Sequence, residues 1–501
     1  MSSNSSESSE PHHLGAAELG RRIARGEISS RAAVELCLDR ITRFNPQLNA
    51  VVLLRAEAAL QQADEADRDV RAGNTRGPLH GVPITIKECL DWQGTPSTFG
   101  RAARRDHRAA EDAVAVARLK GAGAIVLGKT NVPLDLADWQ TFNAVYGATR
   151  NPWDGTRSPG GSSGGSAVAL ATGFSALELG SDHSGSIRMP AHFCGVYGHK
   201  PSYGLVPVRG HAYAPESPPD DINVVGPLAR RAEDLELALR IMAGPEGTQA
   251  RAWRLALPEA GRASLREFRV AVLTGDADFP VDADTRRTAL EVAAVLKDAG
   301  ASVQIDPALP VPSRQSYELH IALARAASAF RRDPADIAAL ATGAATLDPT
   351  DRGYDALMLR GLTQSHREWL AHNAQRQRLR DAWALFFTGC DALIAPVSPT
   401  PAFPLMHEVP KTEQRLLLDG VAHPNADTYF WIGLASVAYL PATTIPAGRS
   451  GSGPVAGLPP VAGLPIGLQI IGPDYADLRC IALARLLEAA HRGFQPPPLF
   501  R

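Results

Sequence analysis

The sequence predicts an α/β fold, and three observations carry that prediction. Runs of helical period alternate with short apolar or alternating runs along most of the chain. Between residues 269 and 306, the segments VAVLT, DTRRTALEVAAVLKDAG and ASVQID read as strand, helix and strand, a unit whose chain returns to its own sheet. Finally, 501 residues with 45% hydrophobic and 21% charged side chains can bury a sizeable core, which excludes wholesale disorder.

Taken in order, residues 1–12 (MSSNSSESSEPH) lack the apolar core of a secretory signal and read as a disordered tail. Residues 13–501 are expected to form one domain, because large α/β enzymes commonly exceed the usual length per domain. From residue 15 to about 72 apolar side chains recur at helical steps, and Ser29-Ser30 before Arg31 reads as an N-cap. Residues 78–89 change period. Val82, Ile84 and Ile86 alternate there with Pro83, Thr85 and Lys87, so Lys87 leaves a strand on the face opposite its apolar neighbours. Residues 113–121 read as a helix and 124–127 as a buried strand; 231–243 read as a helix and 313–387 as largely helical. Residues 391–397, 442–446 and 465–472 read as closing strands. PVAGLP occurs twice at 454–465, a local loop duplication and not a solenoid, which would need many copies.

The chain is organised around residues 158–190, SPGGSSGGSAVALATGFSALELGSDHSGSIRMP. A glycine- and serine-rich loop (159–165) leads into a small-residue helix (166–172), an apolar run (176–179) and a tight turn (180–186). Such a turn presents successive backbone N–H groups with little bulk between them, which makes an anion-binding concavity. In acyl transfer that concavity is an oxyanion hole if a nucleophile stands at its edge, and Ser186 stands there.

GGSSGGS at 160–166, followed by GSDHSGSIRMP at 180–190, resembles the two-part signature of the amidase signature hydrolases, with twenty-four residues from Ser162 to Ser186. GVPITIKECLD at 81–91 resembles the strand on which that family carries its catalytic lysine, here Lys87. The stretches GKTNVPLDLADWQTFNAVYGATRNPWD, AHFCGVYGHKPSYGLVP and PIGLQIIG extend the resemblance, giving a signature core at about 78–205 and a variable, pocket-shaping region at about 308–440. The resemblance implies a three-layer α/β/α fold on a large central mixed β-sheet. It also implies cofactor-free and metal-free hydrolysis of a carboxylic amide to the acid and ammonia or amine. Ser186 would form the acyl-enzyme; Ser162, on a loop that carries a cis peptide in the family, would relay protons; Lys87 would be the base. The backbone N–H groups of His183, Ser184, Gly185 and Ser186 would form the oxyanion hole, Ser163 would support Lys87, and Asp182 with Arg188 would form a structural ion pair. The sequence departs from the family at His183, Ser184, His199 and Ser202, where an aliphatic residue, glycine, leucine and threonine are more usual. Physically, Lys87 can serve as a base only when neutral, which calls for burial beside hydroxyls and not beside carboxylates.

A competing reading shares these motifs: the A subunit of an aminoacyl-tRNA amidotransferase, which hydrolyses a glutamine amide within a complex. The stretch after Tyr203, GLVPVRGHAYAPESPPDDINVVGP, does not resemble that protein. Two further patterns point elsewhere and fail on context. Residues 123–130 spell the phosphate loop G-x-x-x-x-G-K-T, but its variable positions form the expected strand, and Pro133 interrupts the helix that should follow. Residues 161–165 spell G-x-S-x-G around Ser163, yet turn chemistry precedes them where a nucleophile elbow needs a strand. His183, His192 and His199 are too irregularly spaced to share one helical face and are assigned no catalytic role.

A net charge of −2 disfavours a nucleic-acid partner and favours a small-molecule amide. Five dispersed cysteines without a C-x-x-C pair indicate neither a disulfide framework nor a zinc site. No apolar stretch approaches twenty residues, so the expectation is a cytoplasmic protein with no membrane partner; a homodimer is left open.

Overall fold

The change of period at residues 78–89 does mark a strand, and that strand lies inside a large sheet. The computed structural model describes residues 11–212, 220–451 and 463–500. Its strands are β1 (Val51–Leu54), β2 (Pro83–Lys87), β3 (Ile125–Thr130), β4 (Phe142–Asn143), β5 (Gly147–Ala148), β6 (Leu177–Asp182), β7 (Tyr197–Lys200), β8 (Val224–Ala229), β9 (Arg269–Val272) and β10 (Ser302–Ile305). β11 (Ala392–Pro396), β12 (Arg415–Leu418), β13 (Val421–Pro424), β14 (Ala442–Arg449) and β15 (Pro465–Ile471) follow. Eleven of them make one mixed sheet in the order β1-β3-β2-β6-β8-β7-β14-β15-β11-β9-β10, while β4–β5 and β12–β13 are separate hairpins. β3, β2 and β6 run parallel, and β8 then turns antiparallel to β6. β9 and β10 are parallel neighbours joined by the helix Ala283–Asp298, the expected strand–helix–strand unit.

Two expectations shift. Val51, read with the helical run that follows it, begins edge strand β1, antiparallel to β3. The left-handed residue Asn49 (φ +50°) ends the helix Ser30–Leu48, and the four apolar residues after it are too few for period to separate strand from helix. Of the expected tail, residues 1–10 lie outside the described residues, and Pro11 and His12 belong to a 3-10 turn. The PVAGLP duplication falls almost wholly outside them as well.

Other local readings explain how the centre is built. Ser29 caps its helix by accepting the N–H of Ala32. The helix Gly164–Ala171 is buried along its whole length, and its first turn needs glycine: a Cβ on Gly165 would strike the backbone of Asn131 and Ala50. Ile84 and Ile86 face the main hydrophobic core, which spans β2, β6, β9, β11 and β15. The five cysteines are free and buried. Among the described residues no helix is long and apolar enough to cross a membrane.

Candidate active site

Strand alternation delivers Lys87 to the side of β2 away from Ile84 and Ile86. Its ammonium, fully buried, donates to Ser162 Oγ at 2.7 Å, Ser181 Oγ at 3.0 Å and Ser181 O at 3.3 Å. Burial pulls the Lys87 pKa down to about 8. Glu88, next along the chain, turns to the other side and accepts from Thr98 N, Phe99 N and the Tyr146 hydroxyl. Ser162 follows a cis Gly161–Ser162 peptide, and Ser163 N–H donates to Ser186 O at 3.0 Å, tying the serine loop to the turn that holds Ser186.

The turn hangs on Asp182. One carboxylate oxygen accepts from Gly185 N (2.8 Å) and Arg188 Nη2 (3.0 Å), the other from Ile187 N (3.1 Å), Arg188 N (3.3 Å) and Arg188 Nε (3.0 Å). Burial would raise this carboxyl, but the Arg188 guanidinium outweighs it and holds Asp182 well below the usual carboxylate range. Arg188 also donates to Ile432 O, Gln469 Oε1 and Ser436 Oγ, so the pair bolts the turn to the opposite end of the chain. Positive φ falls on Gly185 (+88°) alone within the turn; Ser184 takes ordinary backbone angles, which resolves how a serine fits there.

Two site expectations are corrected. Gly185, expected among the oxyanion donors, spends its N–H on Asp182, whereas the N–H groups of His183, Ser184 and Ser186 bond to no other described residue. Ser163, expected to support Lys87, bonds instead to the backbone of Ser181 (3.4 Å to O, 3.5 Å from N). The second hydroxyl on Lys87, beside that of Ser162, belongs to Ser181. Behind it stands His211, whose Nε2 lies 2.8 Å from Ser181 Oγ and whose Nδ1 lies 3.1 Å from Asn223 Nδ2. Burial and the neighbouring Lys87 bring His211 down to about 3, so it is neutral. Sequence reasoning missed Ser181, His211 and Asn223. Ser181 lay within the quoted motif and its strand parity was readable; His211 and Asn223 carried no local signal.

Ser162, Ser181, His183, Ser184, Ser186, His211 and Asn223 open onto one cavity of about 290 Å³. Its far wall comes from Trp139 and from Arg325 and Tyr429 on the helices Ser313–Ala329 and Thr428–Ser436, within the stretch expected to vary. Of the histidines, His192 (to Thr400 O and Gly467 N) and His199 (to Thr443 and Asp477) are structural, while His183 lines the cavity with Nδ1 3.0 Å from Ser184 Oγ. Lys129 of the phosphate-loop pattern lies within β3 with its ammonium on Pro96 O, Ser97 Oγ and Glu88 O, which leaves no cradle.

A buried lysine bonded to a serine hydroxyl, beside a turn with unspent N–H groups, is an arrangement suited to acyl transfer. A family model described as amidase matches residues 32–481. The chain belongs to the amidase signature family. Its relatives include the A subunit of the glutamyl-tRNA(Gln) amidotransferase of Nitratidesulfovibrio vulgaris (strain DP4), 32% identical over 96% of this chain and 97% of that one. The acylamidase of Rhodococcus erythropolis is also 32% identical, over 95% of each chain. Among solved structures, a bacterial aryl acylamidase of the amidase signature family superposes with a TM-score of 0.78 at 26% identity, covering 96% of this chain and 97% of its own.

Proposed function

We propose that this protein hydrolyses a carboxylic amide to the acid and ammonia or amine through an acyl-enzyme on Ser186. The observation that carries the proposal is the 2.7 Å bond between the buried Lys87 and Ser162, which opens onto the same cavity as Ser186. Neutral Lys87 takes the Ser162 proton as Ser162 takes that of Ser186, and Ser186 Oγ attacks the carbonyl carbon. The oxyanion that forms meets the N–H groups of His183, Ser184 and Ser186. Collapse breaks the C–N bond while the proton returns through Ser162 to the leaving nitrogen. Water then attacks the ester along the same relay, releasing the acid and restoring Ser186. A fluorophosphonate probe is expected to attach to Ser186, read by mass spectrometry of its peptide; attachment to Ser163 would overturn the assignment. Chelators are expected to leave the rate unchanged, since Lys87 supplies the base.

The amidotransferase relatives, at 32% identity over nearly the full chain, favour a second reading in which the amide is that of glutamine and the product ammonia is used by a complex. The purified chain separates the two. Turnover of aryl or aliphatic amides without partners supports the free-standing hydrolase; activity confined to glutamine and dependent on added partner chains supports the amidotransferase reading.

A further inference from the structure

Two half-buried cations on the cavity wall have no carboxylate partner among the described residues. Arg325 donates through Nη2 to the hydroxyls of Tyr354 and Tyr429, the latter at 2.7 Å, and its guanidinium carbon lies 5.6 and 5.2 Å from those ring centres. Its Nε is buried without an acceptor. Lys411 holds Nζ 4.3 Å from the centre of the Trp139 ring and 5.1 Å from that of Tyr429, with a long hydrogen bond of 3.5 Å to Ala137 O. Of the other arginines on this wall, Arg101 is paired with Asp135 and Arg331 with Asp220, while Arg332 is exposed to solvent. Of the remaining acids around the cavity, Asp333 and Asp336 are exposed, and Asp138 has one oxygen occupied by Gln140 N–H at 3.0 Å. Tyr429 registers the imbalance: burial would raise its hydroxyl, but the Arg325 and Lys411 charges prevail and bring it down to about 8.

This positive wall is continuous with the oxyanion turn. Trp139 Nε1 donates to Ser184 O at 2.8 Å, and the Trp139 and Tyr429 rings lie 4.5 Å apart, so both cations stand within two side chains of Ser184. A guanidinium left without a counter-charge in such a place is costly, and a planar carboxylate is its best complement. We propose that Arg325 and Lys411 form a carboxylate subsite, so that the preferred amides carry an anionic carboxylate on the acyl side, beyond the scissile carbonyl. The proposal rests on the amide-hydrolase reading in either of its forms. Trp139 and Tyr429 would cover the apolar stem between the two ends.

The test is calorimetric titration of the full chain with linear dicarboxylic acids from succinate to suberate, each against its monomethyl ester, alongside turnover of the matching half-amides. At least one diacid is expected to bind about tenfold or more tighter than its ester, as a charge-assisted contact provides. Lys411→Met and Arg325→Gln should each narrow that ratio severalfold. Lys411 is partly exposed, so its variant keeps the test decisive even if Arg325→Gln fails to fold. Equal binding of every diacid and ester, or a preference untouched by Lys411→Met, overturns the subsite. Diacid preference with no hydrolysis of any amide would instead sink the amide-hydrolase reading and leave the anion site standing.

Discussion

Every hydrogen bond that Lys87 makes goes to a hydroxyl or a carbonyl, and that choice of partners sets its chemistry. With its pKa brought down to about 8 by burial, the neutral base dominates above that value and the ammonium below it. The rate of amide hydrolysis is therefore expected to fall as pH drops through about 8, with a single-proton limb in the kcat profile. Lys87→Ala should cost on the order of a thousandfold in kcat, and Lys87→Arg should not rescue it, because a guanidinium stays protonated. An arginine variant with near-normal activity and the same pH profile would show that charge alone is needed at this position. Lys87 itself was legible from strand parity and motif together. Its contact with Ser162 was expected; that its second hydroxyl is Ser181 and not Ser163 was missed, because the expected turn begins at Gly180 and Ser163 instead bonds to the backbone of Ser181.

The turn from β6 into the helix Arg188–Cys194, which carries the proposed nucleophile Ser186, is held by buried charge. Asp182→Ala would leave the Arg188 guanidinium buried without its counter-charge, a loss of about 3–5 kcal/mol in denaturant-measured stability. Gly185→Ala tests the turn's shape more gently. Its Cβ would sit 2.8 Å from Ile432 Cδ1 and 3.0 Å from Met189 Cγ at a φ of +88°, so a cost of about 1–3 kcal/mol and a lowered kcat are expected. A variant matching wild type in both would show that the turn tolerates a side chain and that Gly185 is not constrained. β6 was readable as an apolar run, but its last residues, Gly180–Asp182, are small or polar and looked like the start of the turn. They are strand because β8 pairs with them through Asp182, a partner forty-two residues away that no local pattern announces. β1 was lost for a related reason: its pairing with β3 outweighs a composition equally at home in a helix.

Across the whole molecule, strands from residues 51–229 fill one side of the sheet and strands from residues 269–471 the other, joined where β7 pairs with β14, and one hydrophobic core runs beneath both sets. Heating is expected to give one transition, with far-ultraviolet circular dichroism and tryptophan fluorescence coinciding; two separated transitions would show independent units. The alternation of helices and strands and the β9–β10 unit made the class of fold legible, and the signature motifs carried the three-layer arrangement. The cavity wall was not legible, because Trp139, Arg325, Lys411 and Tyr429 meet only through tertiary packing and share no spacing. That wall joins residues 135–139 of the earlier stretch to residues 324–336, Lys411 and Tyr429 of the later one, whereas Ser162, Ser181 and Ser186 come from the first two hundred. On the proposed reading, appetite is written mostly on the later tract of the gene and reaction on the earlier, with residues 135–139 bridging the two. A lineage could then drift toward new foods by editing the later tract, and a graft meant to carry diet between relatives would have to bring residues 135–139 along with it.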